Sequence, residues 1–178
     1  FYSVLKDADR YIKFVFLTGV SKFSKTSIFS KLNNLTDISL KPGYGDICGY
    51  TQEEFESVFA DYIHDVDLAK VRDWYDGYNF LGSNVYNPYD ILLFLADKIY
   101  RCYWFETGTP SFLLELIKQR KYFIPDLDNI KLADSQMSEF DINHIDLDVL
   151  LYQAGYLTIK KTYQLEDNIS YLLSFPNK

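Results

Sequence analysis

Apolar and polar positions alternate with a changing period along the chain, and the changes divide it into three stretches. In residues 1–45, Phe1, Val4, Leu5 and Ala8 recur at helical spacing. Ile12-Lys13-Phe14-Val15-Phe16-Leu17-Thr18 then forms a short, nearly continuous apolar run. Such a run predicts a strand covered on both faces, as in a parallel sheet with helices packed on it. Gly19 and Val20 leave the strand, Ser24–Leu32 fits a helix, and Asn33-Asn34 stops it. Thr36-Asp37-Ile38-Ser39-Leu40 alternates like a second short strand before Lys41-Pro42-Gly43 turns the chain.

Residues 46–125 read as helices. Thr51 and Glu54 have the spacing of a capping box, in which hydroxyl and carboxylate each satisfy an orphan amide. Phe55, Val58, Phe59, Tyr62 and Ile63 are expected to line one face of the helix that follows. Asp67 caps a second helix through Val71 and Trp74, ending near Asp76-Gly77. Gly82-Ser83-Asn84 has turn chemistry between Tyr78-Asn79-Phe80 and Val85-Tyr86, which predicts a tiny hairpin. Asn87-Pro88 places an N-cap before a proline at the first helical position and opens Tyr89–Lys98. Thr109-Pro110 repeats the device for Ser111–Lys121. Residues 126–178 start polar and loop-like at Asp126-Leu127-Asp128-Asn129. Asp146 begins a helix through Tyr152, Gly155 ends it, and Tyr156–Thr162 pairs with Ile169–Phe175 across Glu166-Asp167-Asn168. Helix, glycine and hairpin in that order are the ending of a winged helix.

Composition narrows the class. The 178 residues, 48% hydrophobic and 24% charged, suit one ordinary domain or two small ones and exclude a disordered chain. Lys+Arg total 18 against 25 Asp+Glu, a formal net charge of −7, which sets bare nucleic acid aside as a partner of this segment. Cys48 and Cys102 form no CxxC pair, so neither a disulfide framework nor a zinc ribbon is expected, and a reducing cytoplasmic compartment fits. No window approaches the roughly 18 uncharged apolar residues of a membrane span. The chain opens on Phe1 inside a helical pattern and is expected to be a piece of a longer protein.

Few residues carry overt chemistry. Gly19-Val20-Ser21-Lys22-Phe23-Ser24-Lys25-Thr26 follows a strand and precedes a helix, and it matches GxxxxGK[ST] except that Ser24 replaces the second glycine. That glycine lets successive amides cradle phosphates, so a polar strand-to-helix loop is the better description. His64 and His144 have acidic neighbours but no metal-ligand spacing. No GxSxG elbow is present, and no carboxylate pair precedes a Glu-x-Lys on a strand as a nuclease would need. The aromatics from Trp74 to Tyr89 and from Tyr100 to Phe105 suit core and inter-lobe packing better than base stacking, because few cations interleave with them.

Several ordered runs are nevertheless specific. They are Phe14–Ser24, Leu32-Asn33-Asn34-Leu35, Cys48–Glu54, Trp74-Tyr75-Asp76-Gly77-Tyr78-Asn79-Phe80, Tyr86-Asn87-Pro88, Tyr103–Pro110, Gly155–Ile159 and Phe175-Pro176-Asn177. As a set they resemble the bacterial family of predicted AAA-ATPase-like proteins, whose members often carry a PD-(D/E)XK nuclease-like domain downstream. The resemblance implies an α/β P-loop ATPase core at residues 1–45, a helical lid at 46–125 and a winged-helix-like tail at 126–178. The whole is mainly helical, with Walker A and B upstream of Phe1. It implies ATP and Mg bound by the parent protein, tight binding of neither by this segment, and no turnover by this segment alone. Thr18 and Ser21 become the sensor-1 candidates, which would feel the γ-phosphate or orient the attacking water. Lys22 and Lys25 become phosphate-facing cations, and Asn87-Pro88-Tyr89 the lid turn near the adenine. The implied partners are the upstream ATPase core, the downstream nuclease-like domain, and a protein partner or second copy. The alternative is a regulatory or protein-interaction module with a degenerate nucleotide site.

Overall fold

A computed structural model describes residues 2–19, 35–108, 115, 117–119, 121, 127–137 and 146–177. Its described residues build two apolar cores, one helical and one sheet-based, joined at a seam.

The N-terminal stretch is a short helix α1 (Tyr2–Asp7) and a 3-10 turn (Asp9–Tyr11). Residues 12–19 form no strand, contrary to the pattern of Ile12–Thr18. A strand needs backbone partners, and no described residue forms a ladder with this segment. Phe14, Phe16, Leu17 and Thr18 are exposed, Phe14 at 80%, while Ile12 and Val15 are half-buried. The second expected strand, Thr36–Leu40, is also absent. Asp37 accepts the Ser39 amide at 3.0 Å, so a local side-chain turn replaces a ladder. The expected helix at Ser24–Leu32 lies outside the described residues.

The helical core follows the capping signals. Helix α2 (Gln52–Val58) starts from Thr51, whose hydroxyl accepts from the Glu54 amide while the Glu54 carboxylate accepts from the Thr51 amide at 2.9 Å. The helix then tightens into a 3-10 turn at Ala60–Tyr62, which rotates the expected apolar face. Phe55 is fully buried, whereas Val58 and Tyr62 are exposed. Asp67 caps α3 (Leu68–Tyr75) by accepting from the Lys70 amide. Strands β1 (Tyr78–Asn79) and β2 (Asn84–Val85) form the small hairpin. Helix α4 (Pro88–Asp97) opens at the Asn87-Pro88 cap and closes at Lys98 in the left-handed conformation. A further helix α5 (Tyr103–Gly108) follows, where the sequence offered no start signal. Phe55, Val71, Tyr75, Tyr86, Ile91, Phe94, Leu95 and Tyr103 pack together as the core of this unit.

The second core rests on a three-stranded antiparallel sheet of order β3-β5-β4. Strand β3 (Ile130–Ala133) follows the loop-like Asp126–Asn129 and forms because it gains β5 (Asn168–Ser174) as a partner, with Leu132 opposite Tyr171. A short helix α6 (Asp134–Met137) and helix α7 (Leu147–Gln153) lie between β3 and β4 (Thr158–Leu165) in the chain. Asp146 caps α7, and Gly155 at φ +80° turns out of it, a conformation that glycine takes without a Cβ penalty. Leu132, Leu147, Leu150, Leu151, Leu157, Ile159, Tyr171 and Leu173 fill the space between sheet and helices.

Gly77 fixes how the two cores meet. A Cβ on it would lie 1.3 Å from the Pro176 carbonyl oxygen, so the backbones touch where only glycine fits. Gly77→Ala is therefore expected to lower stability by roughly 2–4 kcal/mol. Gly43→Ala, where a Cβ meets nothing within 4 Å, is expected to change it by less than about 0.5 kcal/mol. Urea unfolding of the two variants measures the difference, and equal midpoints would contradict this account of the seam.

Candidate functional site

Runs widely separated in the sequence converge at this seam. Asn79 N–H donates to the Thr158 hydroxyl at 2.7 Å, and the same hydroxyl donates to the Asn79 carbonyl at 3.1 Å. One buried side chain thus satisfies both backbone groups of a residue in the other core. The Tyr78 hydroxyl donates to the Gly155 carbonyl at 3.0 Å. Trp104 packs on Tyr156 with centroids 4.9 Å apart, and Phe105 meets the same ring edge-on at 6.1 Å. Asp90 lies beneath them, 4% exposed, and its Oδ1 accepts the Trp104 amide at 2.8 Å, tying the start of α4 to α5.

A second polar group flanks Gly77. Arg72 Nε donates to Gln52 Oε1 at 3.2 Å, and the Tyr86 hydroxyl donates to the same oxygen. Asp76 Oδ1, Tyr156 OH and Asn177 Oδ1 are buried with no hydrogen-bond partner among the described residues. Burial pushes the Asp76 carboxyl upward, with Arg72 opposing the shift. Burial likewise raises Tyr75, Tyr78 and Tyr86 to about 12. These groups hold and align. Among the described residues no three metal-ligating side chains cluster, and both cysteines are exposed free thiols.

The sequence-based candidates separate. Asn87, Pro88 and Tyr89 stay together as the start of α4, where the Asn87 side chain accepts from the amides of Tyr89 and Asp90. Asn87 lies close enough to the Tyr78 hydroxyl to oppose the rise in its pKa, so this turn borders the seam. Tyr89 is 43% exposed. Thr18 is exposed on the Ile12–Gly19 segment, and no described residue is hydrogen-bonded to it. Ser21, Lys22, Lys25 and His144 lie outside the described residues. Asp90, Thr158 and Tyr156 were not anticipated. A lone acid three residues after an N-cap, inside the apolar stretch of α4, is a signal that pointed to Asp90. Thr158 has no comparable local mark.

Residues 1–29 match the family described as predicted AAA-ATPase (AAA-ATPase-like). The chain is 46% identical over 176 residues to the "Uncharacterized protein in vnfD 5'region" of Azotobacter chroococcum mcd 1. That alignment covers 99% of this chain and 34% of the relative, so the chain spans about a third of the relative's length. No solved structure matches. No helix among the described residues is long and apolar enough to cross a membrane.

Asp90 yields a test with a definite sign. Burial raises its pKa above the ordinary 3.8, and the Trp104 amide only partly opposes this. The folded protein then binds this proton more tightly than the unfolded chain does. Stability therefore falls as pH rises from the ordinary Asp value toward the raised one. Asp90→Asn keeps an oxygen for the Trp104 amide and is expected to flatten that slope while retaining most of the stability. Asp90→Ala, which orphans the amide, is expected to cost roughly 1–3 kcal/mol. Urea midpoints measured across the acid range distinguish these outcomes, and an unchanged slope in Asp90→Asn contradicts the assignment.

Proposed function

We propose that the chain is the C-terminal portion of an AAA-like ATP-binding and ATPase module, supplying sensor and lid elements, with Walker A and B in preceding sequence. The observation that carries it is the exposed Ile12–Thr18 run. An extended apolar segment with Phe14, Phe16 and Leu17 in solvent has the composition of a strand covered on both faces, and it lies within the residues that match the family. Paired in a parallel sheet, it would bring Thr18 and Ser21 to the strand's C-terminal end, where ligands of open α/β sheets bind.

In this reading ATP and Mg are bound by the longer protein, with Lys22 and Lys25 as phosphate-facing cations and Asn87-Pro88-Tyr89 at the adenine side. Residues 46–125 act as the helical lid. The order β3-β5-β4, with α6 and α7 between β3 and β4, supports a winged-helix-like tail. Helix α7 buries Leu147, Val149, Leu150, Leu151 and Tyr152 and carries no cation, so nucleic-acid reading is not assigned to it. A downstream nuclease-like domain rests on the resemblance alone. A degenerate, protein-binding module is the second reading, favoured by the apolar residues that α4 leaves in solvent.

Calorimetric titration with Mg-ATP tests the proposal. Saturable binding is expected for a longer protein that includes the preceding sequence, and none for the 178-residue chain. Absence of binding to both would transfer the function to the second reading. In the longer protein, Thr18→Ala and Ser21→Ala are expected to slow hydrolysis by about 10- to 100-fold. Unchanged hydrolysis in both variants would remove the sensor assignment.

A further inference from the structure

Helix α4 is apolar on two faces. Its inner side buries Ile91, Phe94 and Leu95 in the helical core. Its outer side leaves Tyr89 43%, Leu92 51% and, just past its end, Ile99 47% exposed, with Ala96 on the same stripe. A helix that is apolar all round ordinarily has neighbours on all sides. Here the outer stripe forms one wall of an open groove of about 280 Å³ whose lining is Phe59, Tyr62, Leu92, Leu95 and Ala96. A cavity of roughly 150 Å³ holds a benzene, so this groove takes about two apolar side chains. That matches the i, i+4 anchors of one amphipathic helix.

Charge indicates which helix. Phe59 and Tyr62 on the opposite side belong to the chain from α2 through Asp65, which exposes Glu53, Glu54, Glu56, Asp61 and Asp65. From Tyr44 to Ala69 the sequence holds no Lys or Arg. Lys98, beside the groove, has its ammonium turned onto the Tyr62 carbonyl. An apolar floor beside an acidic wall complements a helix with apolar anchors and a basic flank.

We propose that the groove between α4 and the Ala60–Tyr62 turn docks a basic amphipathic helix of a partner protein. The assignment stands on this surface alone and is independent of the nucleotide reading. Its test uses the full 178-residue chain and a labelled synthetic helix of about 14 residues, with leucines at i, i+3, i+4 and i+7 and lysines on the flanks. A control peptide carries glutamates in place of the lysines. Fluorescence anisotropy is expected to show saturable binding of the lysine peptide, at least about tenfold tighter than the control, and weaker at high salt.

Leu92→Asp separates docking from mere charge attraction. It adds a negative charge, so attraction alone would tighten binding, whereas the groove account predicts a loss of about tenfold or more. Tyr62→Ser is expected to weaken binding in the same direction, and Leu165→Asp, at an exposed site on β4, to leave no such loss. No saturable binding, equal binding of both peptides, or undiminished binding by Leu92→Asp would each overturn the proposal. A self-association that Leu92→Asp dissolves would assign the groove to a second copy instead, and would also overturn it.

Discussion

The Thr158 hydroxyl, held between the amide and carbonyl of Asn79, is the contact on which the rest of the fold is arranged. Each of the two cores is small, and small cores are marginal alone because too little surface leaves water. The seam joins them by backbone contact. Gly77 gives up its side chain so that Pro176 can approach, and Tyr78 reaches Gly155 with its hydroxyl. The hairpin β1-β2, too short to be stable alone, is held by these bonds and in turn presents Tyr78 and Asn79. Displacing any of them would leave buried polar groups without partners, which costs more than the bond itself contributes.

Tyrosine does much of the joining. The chain has 16, and the buried ones use both the ring and the hydroxyl. Tyr75 donates to the Arg101 carbonyl and accepts its amide, both at 3.0 Å, closing the loop after α4 onto α3. Tyr103 donates to the Ile99 carbonyl, and Tyr171 to Asp134 at the start of α6. Phe could supply the same apolar area but would leave these loop carbonyls unpaired. The aromatic density is therefore a structural resource, and the stacked pair Phe55–Tyr86, with centroids 4.8 Å apart, lies inside the core and away from solvent.

Local signals in the sequence were read well, and long-range ones were not. The caps at Thr51, Asp67, Asn87 and Asp146 each act within three residues, and all four open helices where the pattern indicates. Gly155 and the β4-β5 hairpin are similarly local. Strand β3 was missed because its partner β5 is supplied from far along the chain. The Thr36–Leu40 pattern misled because the Asp37 side chain satisfies a backbone amide locally. Of the site, Asn87-Pro88-Tyr89 was legible through its capping chemistry, whereas the pairing of Asn79 with Thr158 joins positions with no periodic relation. Thr18 illustrates the converse: its run has a strand pattern, but no described residue forms a ladder with it.

The proposal that bears most weight is that Ile12–Thr18 pairs as a sheet strand in a longer protein. Hydrogen–deuterium exchange of these amides, in this chain and in a longer protein that includes the preceding sequence, tests it most directly. The account predicts rapid exchange in the chain and strong protection in the longer protein, because ladder bonds in a covered strand open rarely. Equally rapid exchange in both would contradict it.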